Sequence, residues 1–174
     1  NLDELTLRGH ESEVRAVDWS PDGRLLASIS DDRVVRFWDP RTGRTLKTFR
    51  LERLGNRIEA LRFSPDGRFL AAGGIEAGPA VLADARTGEA LREYAFAGCV
   101  FQALAFSPDS RLLAIGLQPK DKRATGSLQT LHIYDWRQNV EIETPSVSVE
   151  INCLDFSPDG RFLAFGDGEN QAKV

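Results

Sequence analysis

Short runs of apolar residues, broken by turn-forming residues, make up most of this chain, and one run recurs four times. It reads Val14-Arg15-Ala16-Val17-Asp18-Trp19, then Ile58 to Phe63, Phe101 to Phe106 and Ile151 to Phe156. Counted back from the Ser-Pro turn that follows each run, apolar residues take the first, third, fourth and sixth places. Strict alternation would mark a strand with one wet face. This pattern instead predicts a strand covered on both faces, so that neighbouring sheets stack face to face. The fourth place holds Ala16, Ala60, Ala103 and Cys153, all small as close approach requires. Cys153 therefore reads as a packing residue and not as a nucleophile.

The turn after each run is itself a repeat. Ser20-Pro21-Asp22-Gly23-Arg24-Leu25-Leu26-Ala27 returns at 64–71, 107–114 and 157–164, with the serines 44, 43 and 50 residues apart. Proline sets φ at the first central turn position, Asp tolerates the next, and Gly23, Gly67 and Gly160 can take positive φ; Ser110 breaks that pattern. A second hairpin recurs at Arg41-Thr42-Gly43, Arg86-Thr87-Gly88 and Arg137-Gln138-Asn139, ending each time on a residue that accepts a left-handed backbone. A period in the low forties is too long for a coiled coil. It fits units that are each a small antiparallel sheet of strands a, b, c and d, with repeats at about 8–49, 50–92, 93–140 and 141–174.

Gly9-His10, Ser20 to Ala27, Asp32 and Trp38-Asp39 together resemble one full WD40 repeat. The other units resemble it less completely. Asn56 stands where the second repeat would have His, Ala83-Asp84 and Tyr134-Asp135 replace Trp-Asp, and the fourth unit reaches Val174 before its own Trp-Asp. The resemblance implies an all-β fold, a β-propeller whose four-stranded antiparallel blades surround a channel, with about four blades present here. In that family the repeat is offset from the blade, so Asp3 to Arg8 is expected to form an outer strand d closing onto a preceding blade. The first residue is Asn1 and the last repeat stops in strand c, so a partial propeller is expected, with the remaining blades of the same propeller among its partners. The Phe-Ser-Pro-Asp-Gly turns are also similar to those of TolB and prolyl-oligopeptidase propellers. That likeness implies, as the alternative, a propeller accessory to a fused or associated enzyme, whether a peptidase or hydrolase or a kinase or ATPase that it would serve as sensor domain. Gly9-His10 and Trp38-Asp39 disfavour it.

The same resemblance assigns His10, Ser28, Asp32 and Trp38 to a structural tetrad of hydrogen bonds that links the d/a loop to strands b and c. A Ser, a His and an Asp invite a hydrolase reading, but an indole N–H ends this chain of bonds and no oxyanion loop accompanies it. The resemblance also points to the face carrying the d/a and b/c loops as the partner surface. Arg15, Glu59, Gln102 and Asn152 occupy the fifth place back from the turn, and Glu13, Arg57 and Glu150 the seventh, with Val100 the apolar exception; Asp31 joins them beside Asp32. The third unit carries an insertion from Gln118 to Ser127, between strands b and c, in which Lys120, Lys122 and Arg123 form a basic patch. Its Pro, Gly and charge content reads as an exposed loop. These residues are expected to meet a protein or peptide partner.

Composition narrows the remaining classes. With 22 Lys plus Arg against 26 Asp plus Glu, the formal charge of −4 supplies no field that would favour nucleic acid. The longest uncharged stretch, Tyr94 to Pro108, has 15 residues and includes Gln102, short of the roughly 20 that a membrane helix needs. Two cysteines, Cys99 and Cys153, do not make a disulfide scaffold, and no leader precedes them, so a cytoplasmic location is expected. His10 and His132 lie far apart, the cysteines are not spaced as metal pairs, and no Gly-rich loop opens a helix, so neither a metal nor a cofactor is expected. With these classes set aside, the resemblance implies a non-catalytic protein-interaction scaffold.

Overall fold

The computed structural model describes residues 5–55, 57–75, 78–121, 128–142 and 146–174. They form four antiparallel sheets, each a meander in which sequence neighbours pair. The first comprises β1 (Val14–Trp19), β2 (Leu26–Ser30), β3 (Val34–Trp38) and β4 (Thr45–Arg50). The second comprises β5 (Ile58–Phe63), β6 (Phe69–Gly74), β7 (Ala80–Asp84) and β8 (Ala90–Tyr94). β9 (Cys99–Phe106), β10 (Leu112–Pro119), β11 (Leu131–Asp135) and β12 (Val140–Glu141) make the third, and β13 (Ile151–Phe156), β14 (Leu163–Asp167) and β15 (Ala172–Lys173) a three-stranded fourth. The inner strands β1, β5, β9 and β13 stack in sequence order. This is the blade arrangement of a partial propeller.

The imperfect alternation of the inner strands has a local cause. Register shifts fall between Val14 and Ala16, Ile58 and Ala60, and Ile151 and Cys153, and opposite Gln102 where Phe101 pairs with Leu117 and Ala103 with Gly116. Each inner strand therefore carries a β-bulge, with Arg15, Glu59, Gln102 or Asn152 as its extra residue. Beyond the bulge the strand resumes its pleat. As a result Ile58, Leu61 and Phe63 all face the first sheet while Ala60 faces the third. Phe101, Leu104 and Phe106 likewise face the second sheet. On β5 and β9 both faces are covered, and a bulge is what breaks the alternation.

Two cores result, one between the first and second sheets and one between the second and third. Close stacking depends on small residues in strand b. A Cβ on Gly73 would lie 2.5 Å from the Phe101 ring, and one on Gly116 would lie 2.6 Å from Ile151, so these glycines make room for the next inner strand. On β1 the residues equivalent to Ile58, Leu61 and Phe63 are Val14, Val17 and Trp19, which are 48%, 53% and 52% exposed. No described sheet covers that face.

The turns follow their chemistry. Gly23, Gly67 and Gly160 sit at φ 68°, 70° and 70°, and Ser110 takes the same left-handed conformation at 57°. Ser110 replaces glycine's freedom with contacts: its Oγ accepts the Asp66 N–H at 3.0 Å and its carbonyl accepts the Trp136 indole at 3.0 Å. In every such turn the Ser hydroxyl donates to the Asp carboxylate two residues on, at 2.5–2.6 Å. This bond and a backbone N–H hold Asp22, Asp109 and Asp159 below the usual carboxylate range.

Three sequence expectations are corrected. Residues 5–8 form no strand, because a strand needs a neighbour to complete its ladder and no described strand pairs with them; Asp3 and Glu4 fall outside the described residues. Cys153 is exposed, because the fourth place of an inner strand faces the following sheet and no described sheet is stacked beyond β13. Gln118 and Pro119 belong to β10 and not to a loop, pairing with Val100 and Cys99 of a strand that starts two residues earlier than its pattern suggests.

Candidate partner-binding face

The d/a and b/c loops meet at one end of the sheets, and the bulges aim their extra residues there. In the first sheet Arg15 Nε donates to Asp31 Oδ2 at 2.8 Å while its NH2 lies 3.1 Å from Glu13 Oε2. The Asp31 hydrogen bond is the main reason the Arg15 guanidinium is held above its usual range. Asp31 also accepts the Ile58 N–H at 3.3 Å, so it stitches two sheets together as well as lining the face. At the other side Gln102 Nε2 donates to Gln118 Oε1 at 2.5 Å, and Gln118 donates in turn to Glu150. Between these networks stand Arg57 and Glu59, both exposed, and Arg57 holds a left-handed φ of 49°.

Asn152 is exposed at its bulge. Lys120 is exposed directly after β10, and neither it nor Arg57 has an ion-pair partner among the described residues. The expected site residues Lys122 and Arg123 lie outside the described residues, as does Asn56.

A pocket of about 390 Å³ opens at this end between the second and third sheets. Its walls include Ile75, Phe96, Val100 and Phe101, with Lys120, Tyr94 and Cys99 as the polar groups. The Tyr94 hydroxyl is buried without a hydrogen-bond partner, and burial is the main reason its pKa is pushed up to about 12. The oxygen is closed off from solvent, and a buried hydroxyl left unsatisfied is costly. Burial also pushes the Cys99 thiol up, against a smaller opposing pull from Lys120, which keeps it protonated at neutral pH. Sequence pattern did not single out Tyr94 or Cys99, because the pocket exists only once two sheets are stacked.

Of the four residues assigned to the tetrad, three are joined. His10 Nε2 lies 2.6 Å from Ser28 Oγ, and the Trp38 indole donates to the same oxygen at 2.8 Å. Asp32 does not bond His10, whose Nδ1 is buried without a partner. Its carboxylate accepts instead from Ser30 Oγ at 2.5 Å, from Val34 N–H at 2.8 Å and from Glu11 N–H. Burial raises the Asp32 pKa, but those hydrogen bonds outweigh it and hold it low. Burial also lowers the His10 pKa, with Asp32 opposing and Arg36 assisting, so the imidazole is neutral at pH 7. Ser28 is buried beneath Trp38 and its oxygen is committed to the indole. This gives a hydrolytic nucleophile neither an approach path nor a base oriented by Asp32.

His132 is half-buried, 2.6 Å from Glu141 Oε1 and 4.6 Å ring to ring from Phe96. Among the described residues no group of three or more His, Cys, Asp and Glu side chains could hold a metal ion.

Residues 3–39, 43–76 and 141–174 match the family described as WD domain, G-beta repeat. The chain is 32% identical to the nuclear distribution protein PAC1 of Coccidioides posadasii (strain C735), over 91% of this chain and 37% of that protein. It is 34% identical to the WD repeat-containing protein SL1-17 of Schistosoma mansoni, over 95% of this chain and 51% of that protein. With the WD repeat-containing protein AAC3 of Dictyostelium discoideum the identity is 26%, over 95% of this chain and 34% of the relative. The chain thus spans between a third and about half of the length of these relatives.

Proposed function

Because the chain belongs to the WD domain, G-beta repeat family, we propose that it is a non-catalytic platform for protein–protein interaction, whose d/a and b/c loop face receives a protein or peptide partner. The stacked sheets supply rigidity and the face supplies specificity. One observation carries this reading: all four inner strands use a bulge to turn a polar side chain, Arg15, Glu59, Gln102 or Asn152, toward the same end. Arg57 and Lys120 add exposed cationic donors at that end, neither with an ion-pair partner among the described residues. A partner with acceptor groups and mixed charge suits them better than a wholly apolar one.

The uncovered face of β1 belongs to the same proposal. Its Val14, Val17 and Trp19 match residues that a preceding sheet buries in the second and third units, so a further blade of the same propeller is its natural cover. The relatives, two to three times longer than this chain, support that reading. A cytoplasmic location is also part of it, resting on the sparse cysteine content.

The test is a charge swap. With a partner isolated by affinity capture, Arg57→Glu combined with Arg15→Glu should weaken binding by about tenfold or more and leave circular dichroism unchanged. Undiminished affinity would move the interface off this face.

A further inference from the structure

At the opposite end, where the a/b and c/d turns lie, the two buried interfaces differ in a way that leaves a site. Between the second and third sheets Trp136 fills the gap. Its ring meets Phe69 edge-on at 4.3 Å and its indole N–H reaches the Ser110 carbonyl. Arg137 lies over that ring at 4.8 Å, with NH2 3.8 Å from Asp66. Arg111 Nε pairs with Asp135 at 2.7 Å.

One interface earlier, each of these positions has a counterpart by repeat register. Ala85 stands for Trp136, Leu25 for Phe69, Gly67 for Ser110, Arg86 for Arg137 and Arg68 for Arg111. Both aromatic groups have become small or aliphatic. The result is a groove of about 920 Å³ with Phe37, Phe63, Leu25 and Ala85 among its walls, inside the ~300–1,000 Å³ range of ligand sites.

The charges change with it. Arg68 and Arg86 form neither of the ion pairs that Arg111 and Arg137 make, and no carboxylate partners them among the described residues. The carboxylates of the groove are engaged within their own turns, Asp22 by Ser20 and the Arg24 N–H, Asp66 by Ser64 and the Arg68 N–H, and Asp84 by the Arg86 and Thr87 N–H groups. Lys47 is held by the Ala85 and Arg86 carbonyls. The groove thus offers an apolar slot flanked by two guanidinium groups without ion pairs among the described residues, Arg68 lying 5.5 Å over the Phe69 ring and Arg86 beside the Asp84 carboxylate.

We propose that this groove docks an acidic protein segment that inserts an aromatic side chain where Trp136 sits at the next interface. The inserted ring rests against Leu25 and Ala85, Arg86 covers it as Arg137 covers Trp136, and an indole N–H reaches the Gly67 carbonyl. Carboxylates beside the aromatic residue pair with Arg68 and Arg86. The site lies at the other end of the sheets from the d/a and b/c loop face, so it stands independently of the function proposed there.

The probe is a fluorescein-labelled peptide carrying one Trp flanked by glutamates, read by anisotropy against the whole chain. It should bind, and replacing its Trp by Ala or its glutamates by lysines should weaken binding by about tenfold or more. Ala85→Trp fills the slot from within and should abolish binding. Arg86→Glu, at an exposed turn position, should reverse the preference toward the lysine-flanked peptide and decides the matter if Ala85→Trp does not fold. Glu169→Gln, exposed in the turn between β14 and β15 at the far end, should change nothing. The proposal is overturned by no binding up to about 1 mM, by equal affinity for the two flanking charges, by a folded Ala85→Trp chain that binds as well as the parent, or by loss of binding in Glu169→Gln.

Discussion

Lys47 and Arg92 occupy the same place in consecutive outer strands, and each reaches across to the c/d turn of the next sheet. Lys47 Nζ donates to the Ala85 carbonyl at 2.9 Å and to that of Arg86, while Arg92 Nε donates to the Trp136 carbonyl at 3.1 Å and its NH2 to that of Arg137 at 3.4 Å. Carbonyls at the end of a strand would otherwise wait for water, so a cation from the neighbouring sheet both satisfies them and fastens one sheet to the next. Lys47 Nζ also lies 5.4 Å and 5.1 Å from the ring centroids of Phe37 and Phe49. Arg92→Ala and Lys47→Ala should each cost about 1–2 kcal/mol, measured by denaturant unfolding, and Lys47→Arg should recover most of the loss. Alanine variants as stable as the parent would show that water serves those carbonyls equally well.

His10, Ser28 and Trp38 act as one unit and Asp32 as another. Trp38→Phe removes a buried donor from Ser28 and should destabilise by about 1–3 kcal/mol. A double-mutant cycle on His10 and Ser28 should show coupling, whereas His10 and Asp32 should be nearly additive, since no hydrogen bond joins them. Strong coupling between His10 and Asp32 would place the carboxylate on the imidazole after all.

Stability should fall with acid in two stages. Burial depresses the His10 pKa below 6.5, so as pH drops through 6.5 the unfolded chain takes up the proton first and the folded state loses ground until the folded pKa is passed. The turn aspartates Asp22, Asp109 and Asp159 are depressed below 3.8, so their contribution is present above that value and is lost as pH falls below it. Thermal melts of the parent and of His10→Asn across this range should differ in slope just below pH 6.5 and run parallel near pH 4. Equal slopes throughout would deny His10 its buried environment.

Trp19 and Val17 leave an apolar surface on β1 that their counterparts Phe63 and Leu61 do not. Sedimentation of the chain should show concentration-dependent association, and Trp19→Lys with Val17→Lys should suppress it. A stable monomer with a cooperative melt would contradict this.

Much of this architecture was legible in the sequence because it is written in local chemistry. Pro21, Asp22 and Gly23 dictate their turn wherever they stand, and Gly43, Gly88 and Asn139 take the left-handed conformations their types allow. The bulges were visible only as a broken alternation, since a strand buried on two faces and a strand with an extra residue leave similar traces in one dimension. What depends on a neighbouring sheet was not legible. Tyr94 lacks a partner, Cys153 is exposed and Ala85 opens a groove because of what is stacked, or not stacked, against each of them. Ser110 shows the reverse case, where contacts with Asp66 and Trp136 sustain a conformation its own side chain disfavours.

Hydrogen exchange of the chain with and without its captured partner tests the interaction platform most directly. Protection should rise at Glu13 to Arg15, Arg57 to Glu59 and Val100 to Gln102, and around Lys120, because these segments meet at the d/a and b/c loop end. Protection confined to the blade sides, or to the uncovered face of β1, with these four segments unchanged, would contradict the account.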